Sequence, residues 1–155
     1  MVLAVATIAW IALVSWIATA GGGFVMLAIW IARGGMRQRD RGRIRPALIL
    51  SHFLLAATGL VIWIIYLATD SDALSWVALA TLGVVALLGF TMFFIWAGQR
   101  QRRASSAAGG SPLEGGDTGE PAEQHFPVPV VAIHGLLAVA TVILVLLTAA
   151  GVGGS

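Results

Sequence analysis

The sequence predicts an all-α fold, an integral membrane four-helix bundle. Three observations carry that expectation. Hydrophobic residues make up 59% of the 155-residue chain and charged residues only 10%, against about 25% charged in an ordinary soluble domain. Mean hydropathy is +0.94. The apolar residues fall into four long blocks, and the charges lie almost entirely between them, which is the pattern of helices that each cross a bilayer. The short alternating strands of a membrane barrel are absent. By length the chain is a single domain.

The first block runs from Met1 to Ala32. As one helix it would be about 46 Å long, more than the roughly 30 Å of a bilayer core, so the spanning helix is placed at about 8–32. Gly21, Gly22 and Gly23 interrupt it as a potential kink. No basic residue precedes the apolar run, which argues against a secretory signal. The stretch Arg33–Arg45, RGGMRQRDRGRIR, carries six Arg and one Asp and reads as a solvated, topology-fixing loop compatible with anionic lipid head groups.

Pro46 opens the second helix at a first-turn position that tolerates proline, giving about 47–68. Asp70 and Asp72 mark a short turn, and the third helix follows at about 74–97. Its end is set by Gln99, Arg100, Arg102 and Arg103. Residues 104–124 are rich in Gly, Ser, Pro and Glu and read as a flexible cytoplasmic linker. The fourth helix spans about 128–150. Both Arg-rich segments flank helix ends on one side and the Asp turn lies on the other. The positive-inside rule then places the Arg-rich side in the cytoplasm of a bacterial plasma membrane, with the N- and C-termini outside.

Composition also excludes chemistry. The chain has no Cys, so disulfides, iron–sulfur ligation and C-x-x-C-H haem attachment are out. All nine basic residues are Arg. No nucleotide-binding glycine motif, H-E-x-x-H or G-x-S-x-G is present, and nothing suggests nucleic-acid binding. The apolar blocks contain no Asp, Glu, Lys or Arg to carry ions, so a transporter is the least favoured class.

Two histidines stand out. His52 lies six residues after Pro46 and His134 seven after Pro127. The second and fourth helices run in the same direction, so both side chains lie at matching depth, about 10 Å in from the helix starts. Ala56, Gly59 and Trp63 share a face with His52, and Ala138, Thr141, Val145 and Thr148 share one with His134. Facing imidazoles are candidate axial ligands of a haem b. In that reading His52 and His134 bind the metal, Gly59 and Ala138 leave room for the ring, and Arg45 and Arg100 pair with its propionates. Phe90, Phe93, Phe94, Trp96, Met26 and Trp30 supply apolar walls. The competing reading is that each His hydrogen-bonds a neighbouring helix, through Ser51, Thr58, Thr141 or a backbone carbonyl. Quinone or proton handling is a further alternative. Two His make a poor zinc site, and His125 beside Phe126 reads as interfacial. The six Trp are read mostly as an aromatic belt near helix ends.

The stretches PALILSHFLLAATGLVIW (46–63) and HFPVPVVAIHGLLAVATVILVLLTA (125–149) resemble the second and last helices of small uncharacterised actinobacterial four-helix membrane proteins. The plan of four helices with two His also resembles b-type membrane cytochromes, although two-haem versions carry more His than this chain. That resemblance implies one haem and electron transport near the cytoplasmic face, in contact with the lipid bilayer and with protein partners or further copies of the chain. The alternative is a non-enzymatic structural or accessory subunit of a membrane complex.

Overall fold

The computed structural model describes residues 2–37, 44–108 and 120–152. Most of the expected linker and the centre of the first Arg-rich loop lie outside these residues. Among the described residues there are four α-helices, one short 3-10 helix and no strand: α1 (Val2–Ala32), α2 (Pro46–Thr69), α3 (Asp72–Ala108), η1 (Ala122–His125) and α4 (Val128–Ala149). All four α-helices are long and apolar enough to cross a membrane, as expected of a multi-pass membrane protein.

The helix ends follow local chemistry. Extended Arg45 delivers the chain to Pro46 at the start of α2, where a missing N–H costs nothing. α2 stops at Asp70, which takes the left-handed conformation (φ 53°, ψ 32°) and donates its N–H to the Tyr66 carbonyl. Asp is among the few non-Gly types that adopt this conformation readily. Ser71 then caps α3, its carbonyl accepting the Leu74 N–H at 2.9 Å.

Two boundaries differ from the sequence expectation. α1 starts at Val2 and passes through Gly21–Gly23 without a break, since nothing before residue 8 opposes a helix. α3 continues well beyond Ala97 to Ala108, because Gln, Arg and Ala are good helix formers that carry it past the lone Gly98, and the consecutive breakers Gly109 and Gly110 follow only later. At about 55 Å α3 outreaches a bilayer core. The start of the expected linker is therefore helix. Its end is packed: Ala122, Glu123 and Gln124 are buried.

The helices form an up-down ring. α1 packs chiefly on α4 and α2 chiefly on α3, with narrower α1–α2 and α3–α4 contacts and no close approach across either diagonal. This arrangement has an approximate two-fold axis along the bundle, exchanging α1 with α3 and α2 with α4. The buried residues obey it. In α1 and α3, Ala9, Ala12, Trp16 and Trp30 correspond, at one constant offset, to Ser75, Ala78, Leu82 and Trp96, all buried. In α2 and α4, Gly59, Trp63 and Tyr66 correspond, at a second constant offset, to Thr141, Val145 and Thr148, again all buried.

The sequence carries the same duplication. Residues 23–30 read GFVMLAIW and residues 89–96 read GFTMFFIW, and 52–56 HFLLA matches 134–138 HGLLA. Trp10, Ala12 and Leu13 likewise recur as Trp76, Ala78 and Leu79. The molecule is built from two copies of a helix–Arg-rich segment–helix unit.

The main core occupies the half of the bundle toward the Asp70 turn. Trp16, Trp63, Tyr66, Leu82, Val85 and Val145 meet there over Ala9, Ala12 and Ala78. Trp63 packs at a tilt against Trp16 and Tyr66, with ring centroids 6.4 and 4.8 Å away, and its indole N–H donates to the Ala9 carbonyl at 3.3 Å. Four Trp are thus interior: Trp16, Trp30, Trp63 and Trp96 are at most 6% exposed, whereas Trp10 and Trp76 are 57% and 51% exposed. Only the last two fit the aromatic belt expected for most of the six.

Candidate functional site

Between that core and the Arg-rich end the packing changes. No described residue of α1 between Trp16 and Trp30, or of α3 between Val85 and Trp96, is fully buried. At this level stand His52 and His134, half-buried, with ring centroids 6.4 Å apart and planes inclined by 60°. They reach each other across the diagonal from α2 and α4, helices that do not otherwise approach.

Each imidazole is held in the same way by the helix beside it. His52 Nδ1 lies 3.1 Å from the Val85 carbonyl on α3. His134 Nδ1 lies 2.9 Å from the Thr19 carbonyl on α1. A carbonyl oxygen can only accept, so Nδ1 carries the proton, and in the neutral ring the lone pair is left on Nε2. Among the described residues no hydrogen bond reaches either Nε2. A glycine one turn beyond each carbonyl makes the approach possible. A Cβ on Gly89 would lie 3.2 Å from His52 Cε1, and one on Gly23 would lie 3.3 Å from His134 Cε1. A Cβ on Gly22 would likewise touch the His134 ring at 3.5 Å. Val85 and Gly89 are the two-fold mates of Thr19 and Gly23. The site is one half-site used twice.

Two neutral imidazoles held in this way are a donor pair that could ligate a metal centre through Nε2. Carbonyl-held Nδ1–H groups orient the rings and raise the basicity of Nε2. Two metal–imidazole bonds of about 2 Å each, plus the distance from nitrogen to ring centre on both sides, give a centroid separation of roughly 6 Å. The core is interrupted at this level, and the space at Gly22, Gly23 and Gly89 is taken up by the imidazoles themselves. Among the described residues no group of three His, Cys, Asp or Glu side chains is placed to hold a metal.

The other expected site residues divide. Ala138 is half-buried one turn along α4 from His134. Gly59 is buried against Trp16: its Cβ would lie 3.0 Å from Trp16 Cζ2 and 3.3 Å from Thr81 Cγ2. That corrects its assignment as a cofactor cradle, because an indole of the chain itself takes the space. Arg45 is exposed at the α2 start. Arg100 is exposed as well, with its guanidinium carbon 5.2 Å from the centre of the Trp96 ring. Of the expected apolar walls, Trp30 and Trp96 are buried and Met26 half-buried, but Phe90, Phe93 and Phe94 are 52%, 44% and 68% exposed and point away from the interior.

Ser51, Thr58 and Thr141 do not bond the imidazoles. Thr58 donates to the Leu54 carbonyl. Thr141 instead bridges α4 to α1, 2.8 Å from the Ser15 hydroxyl and 3.3 Å from that of Thr19.

Polar residues close the Arg-rich end. Glu123 is fully buried; its Oε1 accepts from the Ile44 backbone N–H at 3.4 Å and from the Gln99 amide at 3.3 Å. The Gln124 amide donates to the Gln99 side-chain carbonyl. Glu120 pairs with Arg103, and its Oε2 lies 3.5 Å from His125 Nε2. His125 is thus part of this polar end and is not a third ligand.

A backbone carbonyl on a neighbouring helix was among the expected histidine partners; that it is Thr19 and Val85, and that Gly23 and Gly89 stand beside them, was missed from sequence. The shared G-F-x-M-x-x-I-W and H-x-L-L-A segments are the signal that would have found them, since they mark the two halves of one site. Comparison with known protein families, curated proteins and solved structures finds no match to this chain.

Proposed function

We propose that this chain is a small b-type membrane cytochrome that holds one haem between His52 and His134 and passes electrons near the cytoplasmic face. The observation that carries the reading is the two-fold pair: each half contributes one imidazole, fixed through Nδ1 to a neighbouring carbonyl, with its ring centre 6.4 Å from the other and no hydrogen bond at Nε2 among the described residues. Haem would supply one-electron redox chemistry there. The chain's own part is to fix both ring orientations through Thr19 and Val85, to make close approach possible through Gly23 and Gly89, and to exclude water with the Trp16–Trp63–Tyr66 core below and the Gln99–Glu123–Gln124 cluster above. The positive-inside rule supports an orientation with the Arg-rich end in the cytoplasm of a bacterial plasma membrane and both termini outside.

The test is a reduced-minus-oxidised spectrum of the protein purified from haem-replete cells. Soret and α bands are expected, and they should be lost in His52→Ala and in His134→Ala. A bandless wild type, or undiminished haem in the double variant, sinks the reading. A second reading, an accessory subunit without a cofactor, draws on the same Nδ1–carbonyl bonds, since a histidine that only ties helices together would make them. It predicts no absorption and co-purification with a larger assembly.

A further inference from the structure

We infer that the indole N–H of Trp96 is the docking donor for an acid group of the ligand held between the two histidines, a tetrapyrrole carboxylate. The inference rests on the haem reading above and adds the direction in which the ligand sits.

Trp96 is 6% exposed, and its Nε1 is buried with no hydrogen-bond partner among the described residues. A buried orphan donor is rare and costly. The usual partner of a membrane tryptophan is a lipid head group or interfacial water, but a side chain this enclosed is not open to the lipid. An acceptor approaching from inside the bundle would satisfy it. Val85, Gly89 and Trp96 follow i, i+4, i+11 spacing and share one face of α3. That is the face that holds His52, through the Val85 carbonyl and the space at Gly89. Trp96 lies about 10 Å along the helix from Gly89 toward the Arg-rich end, on the scale of a tetrapyrrole's acid side chains measured from its centre. Arg100 lies over the same indole, adding positive charge where a carboxylate would arrive. The two-fold mate does not repeat the arrangement. Trp30 leaves no such orphan, its ring is packed on Gly35, and the position matching Arg100 is Gly34. The site is two-fold in its ligands and one-sided in its acid dock.

The full-length protein, stripped of cofactor in detergent, is titrated with iron protoporphyrin IX and with its dimethyl ester while the Soret band is followed. The free acid should bind wild type roughly tenfold more tightly than the ester, the scale of a hydrogen bond to a charged group. Trp96→Phe, which keeps the ring and loses the N–H, should abolish most of that preference, whereas Trp30→Phe should keep it. An unchanged preference in Trp96→Phe, or none in wild type, overturns the inference and leaves the haem reading standing. Binding of neither porphyrin, or binding that survives loss of both histidines, overturns the haem reading itself. Ultraviolet resonance Raman on wild type needs no variant. The indole N–H band of one tryptophan should report a new hydrogen bond with the free acid and not with the ester, and identical spectra for the two would count against the dock.

Discussion

Glycine has opposite uses at two levels of this bundle, and substitutions should separate them. At Gly89 an added Cβ meets the edge of His52 at 3.2 Å, so Gly89→Val must push the imidazole from the Val85 carbonyl. On the proposed haem reading, haem retention should fall several-fold, and Gly23→Val should act alike on His134. At Gly59 the obstacle is the rigid Trp16 indole at 3.0 Å. Overpacking there costs about 1–3 kcal/mol, offset by about 1 kcal/mol from replacing glycine in a helix. Gly59→Ala should therefore lower the thermal midpoint in detergent modestly and leave the haem spectrum unchanged. A spectral change in Gly59→Ala as large as that in Gly89→Val would erase the distinction. Sequence spacing alone put Gly59 on the His52 face correctly but could not say what fills the space beside it. That is decided by Trp16, a residue of another helix.

Within the helices, legibility followed hydropathy. Helix number and approximate limits could be read because crossing a bilayer demands long apolar runs. Which face of each helix turns inward could not, because every face is apolar. Phe90, Phe93 and Phe94 were for that reason placed inside, and the structure turns them outward. The end of the linker was misread for the opposite reason: Glu123 and Gln124 look like solvated residues until Gln99 and the Ile44 N–H are brought to them. The α1–α4 contact adds the hydroxyl bridge from Ser15 and Thr19 to Thr141, where the corresponding α2–α3 position is Gly59 packed under an indole. Such interhelical hydrogen bonds average about 0.6 kcal/mol in membranes. Ser15→Ala and Thr141→Val should each destabilise slightly, and a double-mutant cycle should return a coupling of that order. A coupling near zero would mean that close packing alone joins these helices.

For the whole molecule, the broad contacts, α1 with α4 and α2 with α3, are contacts between the two sequence repeats, while each repeat's own two helices touch over less surface. The halves are interlocked. Cleaving the chain at the Asp70–Ser71 turn and co-expressing the two pieces should restore an assembled bundle and, on the proposed haem reading, its absorption. Either piece alone, having one imidazole and half a core, should fail to assemble and, on the same reading, fail to bind haem. Independent binding by a single piece, at one haem per two copies, would instead point to a working homodimer hidden in the present chain.

The two-fold axis runs along the helices, and that has a consequence for how the chain enters its membrane. A unit with two spans returns to the side from which it started, so the second copy meets the bilayer in the same sense as the first. The repeats are parallel and not inverted. The Arg residues of 33–45 and of 100–103 thus issue the same instruction twice, and neither has to overrule the other. Neutralising one cluster should leave the orientation held by its copy, and only the loss of both should leave a population facing both ways.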